Sequence, residues 1–114
     1  MTITSFLEKL RHTPLTISFA DTIAVIEANY NFTPMAFQNG EQHNAVVENS
    51  GSCKLFSFAK LQNLTKGETL ACFGSIYFDE VLNDPQGTNH QNIRNFMKTG
   101  WDGIRFEGDA LIVK

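Results

Sequence analysis

The segment spanning residues 15–30 constrains the fold more than any other part of the chain. Phe19, Ile23 and Ile26 recur at helical spacing and form a continuous stripe that ends at Tyr30. Alanine and valine fill most of the remaining circumference, and only two residues of the segment are charged. Because a helix that is apolar nearly all round packs on several sides, the pattern predicts a central core helix.

Four further helices are predicted around this one. Pro14 ends the first helix or begins the second. Capping boxes favour helix starts at Thr65, paired with Glu68, and at Thr88, paired with Gln91. The five predicted helices are residues 4–12 with Thr4 as N-cap, residues 15–30, residues 53–63 with Ser52 as N-cap, residues 66–82, and a helix that carries Ile93, Phe96 and Met97 and ends at Gly100.

Short strands are predicted in the remaining segments. Asn39 and Gly40 form a type I′ turn signal between residues 35–38 and a polar run. Residues 104–106 and 110–113 are β-like and predict either a closing hairpin or strands that pair with the region around Met35. The sum is a helix-dominated α+β domain, with about five helices and a small antiparallel sheet or hairpins.

Length and charge exclude several classes of protein. A chain of 114 residues predicts one domain over residues 1–114. A net charge of −3 argues against nucleic acid as a partner, and no apolar run approaches the roughly 20 residues that a membrane span needs. The chain has two cysteines and shows no basic segment followed by an apolar stretch at its start. We therefore expect the protein in the cytoplasm of the cell that makes it.

Several stretches together resemble the HopJ family, whose members are usually labelled type III effector proteins. The stretches are FADTIAVIEANYNFTP at 19–34, GSCKLFSFAKL at 51–61, TLACFG at 69–74 and NIRNFMKTGWDGIRFEG at 92–108. The resemblance covers nearly the whole chain. It implies membership of a set named for proteins that a bacterial injection apparatus delivers into host cells, and it carries over no catalytic residues.

The resemblance leaves two locations open. It implies secretion through a type III apparatus, with a host protein as partner. The first twelve residues, however, contain one serine and the acidic Glu8 and have a helical pattern, whereas type III signals are typically disordered and rich in serine. A role inside the producing cell is the alternative.

Glu27 is the first candidate binding residue. It lies in the most apolar predicted helix, and a buried carboxylate without a partner would cost several kcal/mol. Glu27 must therefore be paired at long range, be protonated, or face solvent or a pocket. Tyr30, one helical turn away, and Arg94 would complete a small-molecule or anion pocket. An ordinary structural pairing of Glu27 with Arg94 or Lys98 is the alternative.

Cys53 and His43 are the candidate catalytic residues. If a helix begins at Ser52, Cys53 lies in its first turn, where the helix dipole lowers the pKa of a thiol. His43 could then act as the base of a cysteine-dependent hydrolase or transferase. A buried structural thiol is the alternative, because no third orienting group and no motif of known cysteine hydrolases is present.

No metal ion or cofactor is expected. His12, His43 and His90 fall in three separate segments, and none has a partner at ligand spacing. A site assembled from Glu27, His43 and Cys53 is conceivable in three dimensions, but nothing in the spacing favours it. Glycine-rich phosphate loops and the common catalytic motifs are also absent from the sequence, which argues against an enzyme.

Aromatic residues in irregular segments suggest a binding surface. Phe32, Phe37, Phe78 and Trp101 lie near segment ends or in loops, where a ring can be exposed and can anchor a protein contact. A core that uses phenylalanine as filler is the alternative. The leading hypothesis is a cofactor-free interaction protein of the HopJ type that recognises a partner through residues 31–37 and Trp101.

Overall fold

The central element of the fold is a helix, α3, that covers Ser50–Leu61. The computed structural model describes all residues from Met1 to Lys114. The Phe56 side chain of α3 is fully buried, and its ring lies 6.2 Å from Phe37, 5.6 Å from Phe73 and 4.9 Å from Phe96, measured between centroids. These three rings belong to different parts of the chain, so α3 joins them into one core.

The other elements surround α3. The helices are α1 (Ile3–His12), α2 (Phe19–Asn29), α4 (Lys66–Ala71) and α5 (Gln91–Thr99), with short 3₁₀ turns at Pro14–Thr16 and Gly100–Gly103 and a π-helical turn at Ile76–Val81. The strands are β1 (Tyr30–Phe32), β2 (Phe37–Asn39), β3 (Gln42–Asn44), β4 (Ile104–Phe106) and β5 (Leu111–Val113). The helix-dominated α+β class is therefore confirmed. None of the helices has the length and apolar character needed to cross a membrane.

The prediction that residues 15–30 form the central helix is right only in part, because a helix forms at Phe19–Asn29 but is not the central one. The segment begins with a 3₁₀ turn, and α2 starts only at Phe19, where Ser18 accepts a hydrogen bond from the Asp21 backbone N–H in a capping box. Ile26 is buried, but the alanines of α2 at positions 20, 24 and 28 are exposed. Alanine has little surface to bury, so an alanine-rich helix face can lie on the outside at small cost.

Two antiparallel sheets connect distant segments. In the first, β1 pairs with β5, with Asn31 opposite Ile112. In the second, β2 lies between β3 and β4, with Gln38 opposite both His43 and Arg105. Residues 104–106 therefore pair with the strand that follows Met35, as one of the two predicted alternatives has it, and the closing hairpin does not form.

The hairpin signal at Asn39 and Gly40 is confirmed, but its turn type is wrong. The two loop residues are Gly40, at φ +59°, and Glu41, which has no positive φ. A type I′ turn requires a positive φ at both. Asn39 is instead the last residue of β2, because its buried amide donates hydrogen bonds to the carbonyl and side chain of Asn92.

Two predicted helix ends are confirmed. Thr65 caps α4 and Glu68 reaches back to the Thr65 backbone N–H at 2.9 Å, which completes the capping box. Gly100, at φ +57°, is the C-cap of α5. The first helix is also present, but its N-cap is Thr2 rather than Thr4, and Ser5 closes that capping box.

Two predicted N-caps are wrong. The helix predicted after Ser52 begins at Ser50, and the helix predicted after Thr88 begins at Gln91. Each follows a left-handed residue, Asn49 at φ 50° and His90 at φ 51°, with no side-chain cap. Tertiary contacts set both starts, since the Asn49 amide is held by a neighbouring strand and the segment before His90 is held by a buried arginine.

The single helix predicted over residues 66–82 is also wrong, because the chain breaks at Gly74. This residue has φ +63°, and a Cβ built there would lie 2.8 Å from the Ile17 carbonyl oxygen. Helix α4 ends before it at Ala71, and the π-helical turn follows it. The close approach of the Ile17 backbone therefore determines where this helix ends.

Replacing Gly74 tests that contact. We expect Gly74→Ala to lower the free energy of unfolding by at least about 2 kcal/mol, since a side chain in the left-handed region costs about 1–2 kcal/mol before any clash with the Ile17 carbonyl. The matched control is Gly67→Ala in α4, where a new Cβ meets nothing within 4 Å and alanine should stabilise the helix by about 0.5–1 kcal/mol. Urea unfolding measures both, and equal stability of the two variants would contradict the account.

Candidate functional site

Cys53 is a core residue rather than a surface thiol. It is the fourth residue of α3, its backbone N–H is already bonded to the Asn49 carbonyl, and its side chain is 1% exposed. Burial raises the pKa of the Cys53 thiol, although its contact with the Met35 carbonyl, 3.8 Å from Sγ, partly opposes the shift. The charged nucleophile is therefore disfavoured at this position.

His43 does not complete a catalytic pair. It lies on β3 with an exposed side chain, opposite Gln38, and no hydrogen bond connects it to Cys53. The second thiol, Cys72, is also buried, and desolvation raises its pKa to about 12. Neither cysteine is part of a disulfide.

The raised thiol pKa values predict a loss of stability at alkaline pH. Above about pH 8.5 the unfolded chain releases its thiol protons while the folded chain keeps that of Cys72 until about pH 12. The unfolded state then binds fewer protons, so the free energy of unfolding falls by about 1.4 kcal/mol per pH unit for this thiol.

The measurement compares wild type with Cys72→Ala by urea unfolding across this alkaline range. Between about pH 9 and 11, wild type should lose roughly 2 kcal/mol more than the variant. Parallel profiles would show that Cys72 ionises normally in the folded protein.

Glu27, Tyr30 and Arg94 each bind a different partner. The Glu27 carboxylate is exposed and pairs with Lys54 at 3.2 Å, rather than with Arg94 or Lys98. The buried Tyr30 hydroxyl accepts a hydrogen bond from Gln62 at 3.0 Å. The three side chains therefore share no hydrogen bond or ion pair.

Arg94 has a structural environment. Its buried guanidinium donates hydrogen bonds to the carbonyls of Asp84 at 2.7 Å and Asn89 at 2.6 Å, and to the Asn89 side chain at 2.9 Å. These bonds hold the loop that leads into α5. Most of the donors of the guanidinium are used within the protein, which leaves little capacity for an anion.

The histidines do not assemble a metal site. His90 pairs with Glu80 at 3.4 Å at the start of α5, while His12 and His43 lie exposed in other elements. No group of three histidine, cysteine or acidic side chains lies close enough to hold a metal ion.

The candidate aromatic anchors differ in their exposure. Phe37 is 1% exposed, so it cannot contact a partner; it lies in the middle strand of its sheet and packs between Phe56 and Phe106. Trp101 is half-buried in the turn after α5, where its Nε1 donates to the Leu64 carbonyl at 2.9 Å and its ring packs edge-on against Phe96.

Trp101 lines an open cavity of about 360 Å³. The other lining residues are Lys60, Asn63, Leu64 and Ile104. Because the indole N–H is occupied by the Leu64 carbonyl, the ring presents apolar surface here.

A second cavity of about 430 Å³ lies beside the first and shares Lys60 with it. Ser57 lines it, and its buried hydroxyl has no hydrogen-bond partner. This hydroxyl lies close enough to Cys53 to oppose the rise in the pKa of its thiol, but the two groups do not have hydrogen-bond geometry. We call the lining of the two cavities the Lys60 face; it consists of Ser57, Lys60, Leu61, Asn63, Leu64, Trp101, Ile104, Phe106, Glu107, Gly108, Asp109, Ala110 and Leu111.

The charges of the Lys60 face are not neutralised within the protein. Glu107 and Asp109 are exposed and form no ion pair, and Lys60 has no carboxylate partner. The Lys60 ammonium instead lies 5.7 Å from the centre of the Phe106 ring. Only Trp101 of this face stands out in the sequence, because α3, the turn after α5 and the loop between β4 and β5 meet only in the folded chain.

The fold and these cavities define a small α+β protein with two buried thiols and one surface, the Lys60 face, that is partly polar and partly apolar. Its sequence belongs to the HopJ family, described as HopJ type III effector protein, which matches residues 3–111. The chain is also similar to a solved structure, the crystal structure of the unknown-function protein VPA0580, at 54% sequence identity and a TM-score of 0.98. That similarity covers 100% of this chain and 95% of the other. No curated protein matches the chain.

Proposed function

We propose that this HopJ protein acts by binding a partner protein at the Lys60 face, without chemistry at its cysteines. The observation that carries the proposal is the pair of adjacent cavities that share Lys60, one with an apolar aromatic wall and the other with unpaired charges. The cysteine hydrolase and the pocket of Glu27, Tyr30 and Arg94 have no comparable support, since their side chains do not meet.

The cavity at Trp101 suits an apolar anchor. Trp101, Leu64 and Ile104 offer it apolar contacts, and the hydrogen bond from the indole to the Leu64 carbonyl fixes the ring. A fixed aromatic residue loses little entropy when a partner binds, which is why such residues dominate the energy of protein interfaces.

The neighbouring cavity suits a basic side chain. Glu107 and Asp109 supply two carboxylates without ion-pair partners, which outnumber the single ammonium of Lys60 in this cavity. Leu61, 52% exposed, offers apolar surface for the stem of a lysine or arginine. The net charge of −3 also favours the approach of a basic partner. The occupant is therefore a partner segment with one apolar anchor next to a lysine or arginine.

The family description points to the partner's origin. Because the HopJ family is described as type III effector protein, we take the partner to be a host protein that the chain meets after delivery through a type III apparatus. Of the aromatic residues expected to bind a partner, Trp101 lines this surface, whereas the buried Phe37 and the half-buried Phe32 lie outside it.

Selection from a random peptide library on the immobilised protein tests the proposal. Enriched peptides should carry an apolar residue close to a lysine or arginine. Trp101 is the only tryptophan of the chain, so its fluorescence should shift when such a peptide binds. A selection that yields no shared pattern, or peptides that leave the fluorescence of Trp101 unchanged, would contradict the proposal.

Charge reversal identifies the surface. The double variant Glu107→Lys with Asp109→Lys should weaken binding of a selected peptide at least about tenfold, since it turns attraction into repulsion. The matched control is Glu8→Lys with Glu41→Lys, which changes the net charge equally at two exposed carboxylates that form no ion pair. Equal weakening in both double variants would mean that peptide binding depends only on net charge, which would contradict the assignment of the binding site to the Lys60 face.

A further inference from the structure

A cavity of different chemistry lies where α3 and α5 begin. It has a volume of about 370 Å³, within the range of roughly 300–1,000 Å³ that is usual for small-molecule sites. No lysine, arginine, aspartate or glutamate lines it. The one ionisable residue in its wall is His90, which already pairs with Glu80 at 3.4 Å. An anion would therefore find no cation without a partner there and a cation would find no carboxylate, so an uncharged ligand fits better.

One wall of the cavity is apolar and aromatic. Phe19 and Phe73 line it, with parallel rings whose centroids lie 5.9 Å apart, and Ile76 and Ile93 complete the wall. Surfaces of this kind hold planar rings by stacking and dispersion.

The other wall consists of side-chain amides that are held from behind. Asn44 is fully buried, and its Oδ1 accepts hydrogen bonds from the amides of three lining residues: Asn49 at 2.6 Å, Asn92 at 3.0 Å and Gln42 at 3.2 Å. Asn95 donates to Gln42 Oε1 at 3.2 Å and fixes the orientation of that amide. The amides are thus pre-oriented before any ligand arrives.

The network leaves unused hydrogen-bonding capacity on residues that line the cavity. An amide nitrogen has two N–H donors, and Gln42 and Asn49 each use one of them within the protein. Asn49 Oδ1 accepts no hydrogen bond, and Ser52 Oγ, which also lines the cavity, makes none. The lining residues therefore carry both donors and acceptors that the protein itself does not use.

The network lowers the stability of the fold. Asn39, fully buried behind Asn92, leaves its Oδ1 without a partner, which costs about 1–3 kcal/mol. Apolar side chains of the same shape would avoid this loss of stability, and positions that break a local rule of this kind are expected at functional sites. Stability alone therefore does not account for these asparagines.

We propose that this cavity binds an uncharged planar heterocycle with adjacent hydrogen-bond donors and acceptors, of the kind that a purine or pyrimidine base presents. The ring packs against Phe19 and Phe73, and its polar edge contacts the amides of Gln42 and Asn49. This site is separate from the Lys60 face and shares no residue with it.

Side-chain amide resonances give a direct test. In nitrogen–proton correlation spectra of the isotope-labelled protein, millimolar adenine, cytosine or uracil should shift the NH₂ signals of Gln42, Asn49 and Asn92 in a saturable way. Benzene and inorganic phosphate serve as probes of apolar and anionic binding. If no base shifts these signals, or if benzene or phosphate shifts them as strongly, the proposal is overturned.

A double variant tests the contacts of the base with the amides of Gln42 and Asn49. Gln42→Met with Asn49→Gly removes both amides, while glycine still tolerates the left-handed backbone at position 49. Base binding should weaken at least about tenfold, whereas the control Gln38→Met on β2, outside this cavity, should leave it unchanged. Equal binding to wild type and the double variant would overturn the assignment. The Trp101 fluorescence test reports on the other face, so the two proposals can fail separately.

Discussion

The packing of Phe56 is the contact on which the rest of the structure depends. Its ring meets Phe37 of the β2 strand, Phe73 after α4 and Phe96 of α5, so one side chain of α3 joins three segments that are distant in sequence. Because α3 is held at the centre in this way, its residue Cys53 is buried in the core. The last turns of the helix form a surface with the chain after α5.

The parts of the fold that could be predicted from the sequence are those with a local cause. The capping box at Thr65 and the glycine C-cap with positive φ at Gly100 need only neighbouring residues, and both are present. The break at Gly74 depends on the Ile17 carbonyl, more than fifty residues earlier in the chain, and periodicity cannot reveal it. Apolar periodicity also could not distinguish α2 from a central helix, since alanine satisfies the pattern without requiring burial.

The same distinction applies to the candidate sites. Trp101 stands out as an aromatic residue in an irregular segment, but Phe37 has the same local signal and is buried by strands that come together only on folding. The Lys60 face and the cavity where α3 and α5 begin are each assembled from three or more separated segments, with polar and apolar residues in both. A site of this kind has no motif, because its residues need no fixed spacing in the chain.

Cys53 of α3 is sealed within the core, which is why the proposed binding site is a surface and not the thiol. The most direct measurement is the urea dependence of Cys53 alkylation, with the labelled residue located by mass spectrometry. If Cys53 is sealed in this way, the free energy of opening derived from labelling will fall with urea as steeply as that of global unfolding, because Cys53 reacts only in the unfolded chain. Alkylation of Cys53 at a rate that does not change with urea below the unfolding transition would contradict it.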